Sequence, residues 1–183
     1  FISSKNIVRI IESHNSLTCL IIEKLKVNNK GKNLEFDGMW SSSLTDSATK
    51  GKPDNSSLDF SSRVSSLHDM MDVTTKPLVF DADNGGHLEH LPFLIWSLDR
   101  SGVSAIIIED KVGLKKNSLF PNQSDTKQDK PNIFAKKIKK VCSTRENDDF
   151  MVIARIESFI VGKGLKDALK RAEIYSSAGA DAI

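Results

Sequence analysis

RSGVSAIIIEDKVGLKKNS, residues 100–118, turns on a glycine, enters an apolar run and breaks off at two acids before a lysine-rich stretch. Its first seven residues have a counterpart in SAGADAI, 177–183. Each copy reads as a helix C-terminus that turns on Gly and feeds a buried strand. The second copy makes 177–183 the entry to a sixth strand.

Working outward, apolar or β-branched runs at 7–12, 34–40, 77–81, 103–109 and 150–156 alternate with helically spaced stretches. This is the pattern of parallel strands joined by crossover helices. Leu88, Leu91, Leu94, Ile95 and Leu98 form one apolar stripe, and Pro92 near its start is compatible with a first helical turn. Leu165, Ala168, Leu169, Ala172 and Ile174 to Tyr175 form another, and both stripes are expected in the core. The fold class expected is α/β, a (β/α)8 barrel cut after about five and a half units, since complete barrels need about 250 residues. A flavodoxin-like open sheet is the structural alternative. Residues 1–183 are taken as one partial barrel domain.

The chain has 183 residues, 39% hydrophobic and 27% charged, enough for a sizeable core. A formal charge of +2 argues against a nucleic-acid partner, and Lys136, Lys137, Lys139 and Lys140 read as the solvated side of a helix. No apolar stretch reaches membrane-spanning length. Residues 1–5 show neither an initiator Met nor the order of a secretory signal, and a cytoplasmic location is expected. Cys19 and Cys142 read as buried thiols, and the four histidines offer no convincing metal pair. Segments 41–57 and 119–131 are too polar and long for plain connectors. Both are expected to be lids or binding loops, with disorder the alternative for the second.

In a parallel barrel, chemistry gathers where strands finish. Here the strand ends carry Glu12, His14 and Asn15; Trp40, Ser41 and Ser42; Asp81 and Asp83; Glu109, Asp110 and Lys111; Arg155 and Glu157. Asp81 and Asp83 alternate to one side of their strand while Ala82 faces away. With Glu109 alongside they would form a three-carboxylate group, in which each pair about 4 Å apart repels by roughly 4 kcal/mol. A divalent cation relieves that repulsion, and a hard oxygen donor set points to Mg²⁺, or Mn²⁺, rather than zinc. Arg155 offers a fork of donors for a phosphoryl or carboxylate group, Lys115 a mobile charge, and Asn117 and Ser118 neutral donors. The ligand implied is a small, oxygen-rich anion.

WSSSL (40–44), GKPD (51–54), DADNGG (81–86), EDKVGLKKNS (109–118) and ARIESF (154–159), with IESHNSL (11–17), resemble phosphoenolpyruvate mutase, of the isocitrate lyase and phosphoenolpyruvate mutase superfamily, in order and spacing. The resemblance implies a homotetrameric, Mg²⁺-dependent (β/α)8 barrel. Such enzymes interconvert phosphoenolpyruvate and 3-phosphonopyruvate, at the entry to phosphonate biosynthesis. By the same resemblance Asp81 touches the metal, and Asp83, Glu109 and Asp54 hold its waters. Asp54 also matches the nucleophile proposed to accept the phosphoryl group. Ser42, with the backbone of Ser43 and Leu44, holds the substrate carboxylate beside Trp40. Arg155, Asn117 and Ser118 grip the transferring group, and Lys115 rides on a lid. Ser43 stands where the family usually has Gly, and Asn84 where it has Thr. The family's substrate-binding His and its exchanged helix would fall beyond Ile183, so a fragment is expected. Phosphonopyruvate hydrolase is the nearest alternative. A carbon–carbon lyase would want a catalytic Cys that the 115–118 loop lacks, and a non-catalytic truncated barrel is the remaining one.

Overall fold

The computed structural model describes residues 7–113, 115–117 and 126–183. Among them, five parallel strands make one sheet in chain order: β1 (Ile10–Glu12), β4 (Gly38–Ser41), β5 (Leu78–Asp81), β6 (Ala105–Glu109) and β9 (Met151–Arg155). A flavodoxin-like sheet places its second strand outside its first, whereas here β1 is the edge and every new strand adds on one side. That order is the barrel's. Beyond β9, Ala182 bridges to Ile153 in parallel, so the second glycine turn does lead into a sixth strand position.

The two copies of the glycine turn are built alike. Gly102 and Gly179 have φ of 83° and 107°, a region where a Cβ is unfavourable. Val103 N donates to Leu98 O at 3.1 Å, and Ala180 N to Tyr175 O at 3.1 Å, the six-residue closure of a Schellman turn. The preceding helices are α4 (Leu91–Arg100) and α6 (Gly164–Ser177).

The other helices are α1 (Ser16–Lys24), α2 (Ser43–Thr49), α3 (Phe60–Met71) and α5 (Pro131–Thr144). They cover the sheet face that carries Met39, Phe80, Ala82, Ile106, Ile108, Val152 and Ala154, all fully buried. Leu91, Leu94, Ile95 and Leu98 of α4 pack into that core as their spacing requires.

Several expectations need correcting. The run 34–40 is not one strand: β2 (Val27–Asn29) and β3 (Lys32–Leu34) form a hairpin, and the sheet strand starts only at Gly38. The hairpin turns at Lys30 and Gly31, both at positive φ, as a tight two-residue connection demands. Asp37 ends the connection by accepting from Arg9 N at 2.8 Å. Segment 41–57 contains a helix, α2, rather than loop throughout. Leu165 and Leu169 are more than half exposed, because α6 instead buries Ala168, Arg171 and Tyr175. The two leucines border an apolar cleft of about 570 Å³ with Trp40, Ile107, Ile153 and Ile183. Lys137 is half-buried, not solvated, and donates to Asn84 O at 2.7 Å. Leu88 lies outside α4, and Cys142 is only partly buried.

Candidate active site

Strand register sets the site. Asp81 pairs with Ile107, and Glu109 pairs with Arg155, so these side chains share one face of the sheet in successive layers at its C-terminal edge. Asp81 and Glu109 are 4% and 2% exposed. Neither is an ordinary wet strand end.

The β5 end is held on every side. Asp81 Oδ1 accepts from Asp83 N at 3.0 Å, and Oδ2 accepts from the Ser43 hydroxyl at 2.9 Å. Asp83 adopts a positive φ of 50°, which Asp tolerates better than most residues and which folds its own backbone back onto Asp81. Burial, then the neighbouring Asp81, push the Asp83 carboxyl above its usual range, with Lys115 opposing. The Lys115 ammonium enters from the stretch 115–117. It pairs with Asp54 at 2.9 Å, with Asp83, and with the Ser43 hydroxyl. Burial works against its charge, but Asp83 and Asp81 hold its pKa above the ordinary lysine value.

The β6 and β9 ends make a second cluster. Arg155 Nε lies 2.6 Å from Glu157, and its Nη1 3.5 Å from Glu109. Lys111 lies 2.9 Å from Glu157 and 4.0 Å from Glu109. Burial raises the Glu109 carboxyl to about 7 despite those two cations.

Two structural networks escaped the sequence. Arg63 of α3, 2% exposed, donates from Nε to Asp46 at 2.8 Å and from Nη1 to the Asp81 carbonyl at 2.6 Å, and its guanidinium stacks 4.2 Å from the Phe80 ring centre. It ties α2 and α3 to the end of β5. The available signal was its place at i, i+4, i+7 with Leu67 and Met70, an arginine inside an apolar stripe. The second network surrounds Asp110, which is fully buried. Its carboxylate accepts from Tyr175 OH at 2.7 Å, Arg171 at 3.0 Å, Gln128 at 2.9 Å and Glu157 N at 3.0 Å. Asp110 therefore fixes the backbone at Glu157 rather than facing the site.

The four carboxylates expected around a metal divide between these clusters. Asp54 and Asp83 surround Lys115 and Asp81 is joined to it through Ser43, whereas Glu109 faces Arg155 and Lys111. Among the described residues no three acid, imidazole or thiol groups form a direct ligand cage. Asp81 nevertheless acts electrostatically on both Asp83 and Glu109, pushing each carboxyl up, so the three acids share a neighbourhood without a direct cage. The donor set still fits Mg²⁺, which takes one or two carboxylates and keeps several waters. The Asp54–Asp83 pocket already accommodates a cation, the chain's own ammonium.

Ser42 caps the start of α2 without using its hydroxyl for the cap, and Leu44 follows in the first turn, where backbone N–H groups lack helical partners. Trp40 Nε1 is buried with no acceptor among the described residues. Asn117 is partly buried two residues beyond Lys115. Ser118 and most of 119–131 lie outside the described residues.

Comparison with known proteins matches these features to one family. The sequence model described as phosphoenolpyruvate phosphomutase matches residues 1–183. A phosphoenolpyruvate phosphomutase of Tetrahymena pyriformis is 37% identical over the whole chain, which spans 58% of that protein's length. The crystal structure of phosphoenolpyruvate phosphomutase from Streptomyces platensis subsp. rosaceus superposes with a TM-score of 0.87 at 34% identity, covering 98% of this chain and 59% of that one. A phosphonopyruvate hydrolase solved as a complex with oxalate and Mg²⁺ superposes at 0.81 with 29% identity, covering 98% and 58%. The parallel strand order, the acids at its C-terminal edge and the match along the full sequence together place this chain in the phosphoenolpyruvate phosphomutase family.

Proposed function

We propose that the chain is the catalytic part of an isomerase that moves a phosphoryl group within one small molecule, interconverting 3-phosphonopyruvate and phosphoenolpyruvate. One observation carries the proposal: Asp54, a buried carboxylate from a loop, is held by the lid residue Lys115 in the pocket that also contains Asp83. The same ammonium meets Ser43, which holds Asp81. These contacts support reading Asp54 as nucleophile, the acids as a cation pocket and Lys115 as a water-excluding cover.

In the direction from phosphonopyruvate, Arg155 binds the phosphonyl oxygens, and Ser42 with the Ser43 and Leu44 amides binds the substrate carboxylate. The carbon–phosphorus bond breaks with its electron pair left on the pyruvate enolate, while the Asp54 carboxylate oxygen bonds to phosphorus. The enolate oxygen then takes the phosphoryl group back, giving phosphoenolpyruvate and restoring Asp54. A looser, metaphosphate-like transfer uses the same positions, with Asp54 aligning the group electrostatically. Asn117 and Ser118 orient the moving group. Lys115 keeps water out, which matters because hydrolysis competes. Asp81, Asp83, Glu109 and Asp54 would hold Mg²⁺, directly or through water, and that ion would neutralise charge on the enolate and phosphoryl oxygens.

The family relationship extends the proposal to a homotetramer in the cytoplasm, at the start of phosphonate biosynthesis, with 1–183 as part of a larger (β/α)8 domain. Among the described residues no helix is long and apolar enough to cross a membrane. The test supplies the protein with Mg²⁺ and phosphonopyruvate and follows phosphorus by NMR. A phosphoenolpyruvate resonance is expected, whereas inorganic phosphate with pyruvate would establish the hydrolase instead.

A further inference from the structure

Ser43 is 2% exposed and begins α2, yet its hydroxyl faces away from the helix backbone and into the acid pocket. A hydroxyl has one proton to give and two lone pairs. Ser43 gives the proton to Asp81 Oδ2 at 2.9 Å, and the Ser43 oxygen in turn accepts from the Lys115 ammonium. Asp81 Oδ1 is meanwhile taken by the Asp83 amide. Both oxygens of the β5 carboxylate are therefore fixed, one by the chain's own turn and one by a side chain from a different strand end.

We infer that the Ser43 hydroxyl is a positioning residue, which sets the orientation of the Asp81 carboxylate toward a divalent cation and docks the lid through Lys115. This rests on the functional reading above for the cation, but the dock itself rests on geometry alone. Hydrogen bonds from outside groups fix the rotation of a metal-binding carboxylate, and losing one typically weakens metal binding or activity about 10- to 100-fold. Here the same atom also touches the lid. Removing it therefore affects two separable properties: how Asp81 presents its oxygens, and how long Lys115 stays buried.

The test compares Ser43→Ala and Ser43→Gly with the native chain, because neither variant keeps the hydroxyl, and alanine keeps the Cβ that restrains the backbone while glycine does not. Two properties are measured without turnover: Mn²⁺ affinity by electron paramagnetic resonance, and the acylation rate of the Lys115 amine by an amine-reactive ester, read by mass spectrometry. Both variants should bind Mn²⁺ about tenfold more weakly and expose Lys115 to acylation about tenfold faster. No change in acylation, or a change in only one of the two variants, overturns the inference, since loss of the hydroxyl is common to both. The acylation arm needs no metal. A native chain that bound no Mn²⁺ would count against the functional reading, while acylation alone would decide the dock.

Discussion

Lys115 Nζ stands 2.9 Å from Asp54 Oδ1, and both side chains are nearly buried. The pair joins the stretch 115–117 to the loop after α2 and occupies space that a divalent cation's positive charge would also favour. Lys115→Met should lower turnover by about a hundredfold, the scale of a misplaced catalytic geometry, while strengthening Mg²⁺ binding to the substrate-free protein. Asp54→Ala should abolish turnover yet leave Mg²⁺ binding measurable. Calorimetric titration beside a phosphorus NMR assay checks both, and undiminished turnover in Asp54→Ala would remove it as nucleophile.

Glu157 was legible only as a polar strand end, but it bridges Arg155 and Lys111 at 2.6 and 2.9 Å. Glu157→Gln keeps its shape and loses its charge, so the Arg155 ion pair with Glu157 is lost while the one with Glu109 remains. The expected result is a kcat about 10- to 100-fold lower with Mg²⁺ affinity little changed, in line with loss of an outer-shell partner. Steady-state kinetics at saturating Mg²⁺ would refute this by showing an unchanged kcat.

The raised Glu109 carboxyl predicts a pH dependence in the metal-free protein. Below pH 4.5 the group is protonated whether the chain is folded or not; between 4.5 and about 7 only the unfolded chain releases the proton. Stability is therefore lost as pH rises through that window, by about 3 kcal/mol from this group when complete, for a carboxyl moved from 4.5 to about 7. Glu109→Gln should remove this component. Urea unfolding at pH 5 and pH 8 in chelator measures it, and identical pH slopes in the two proteins would disprove the shift.

Arg63 and Asp46 form an ion pair at 2.8 Å inside the protein. Arg63→Met leaves the Asp46 charge buried without its partner, which should destabilise the fold by about 3–5 kcal/mol. The double variant Arg63→Met, Asp46→Asn should recover a substantial part. Denaturant unfolding distinguishes this from a surface pair, for which the single variant would lose less than about 1 kcal/mol.

Asp81, Asp83, Glu109 and Arg155 could be found from sequence because period-two strands reveal both their faces and their ends, and a barrel places its chemistry at those ends. The repeated glycine turns at Gly102 and Gly179 likewise announced the entry to a sixth strand, whereas the strand order that separates a barrel from a flavodoxin-like sheet came only from the structure. What stayed hidden depended on contacts between distant residues. Nothing local distinguishes Arg63 as the partner of Asp46 and of the Asp81 carbonyl, 17 and 18 residues away. Residues 43–49 read as polar loop because Ser, Thr and Asp are poor helix formers, and here tertiary contacts such as Ser43 to Asp81 override that preference. Spacing also misjudged α6, where buried Arg171 and Tyr175 serve Asp110 while Leu165 and Leu169 face the apolar cleft.

On the proposed function, acids from separate strand ends share one divalent cation beside Arg155. Anomalous diffraction from crystals soaked in Mn²⁺ and oxalate tests it most directly. The expected density is a single Mn²⁺ at Asp81, with Asp83 and Glu109 reaching it through water, oxalate between the ion and Arg155, and Lys115 withdrawn from Asp83. Mn²⁺ absent from Asp81, or bound there with Lys115 still seated between Asp54 and Asp83, would contradict it.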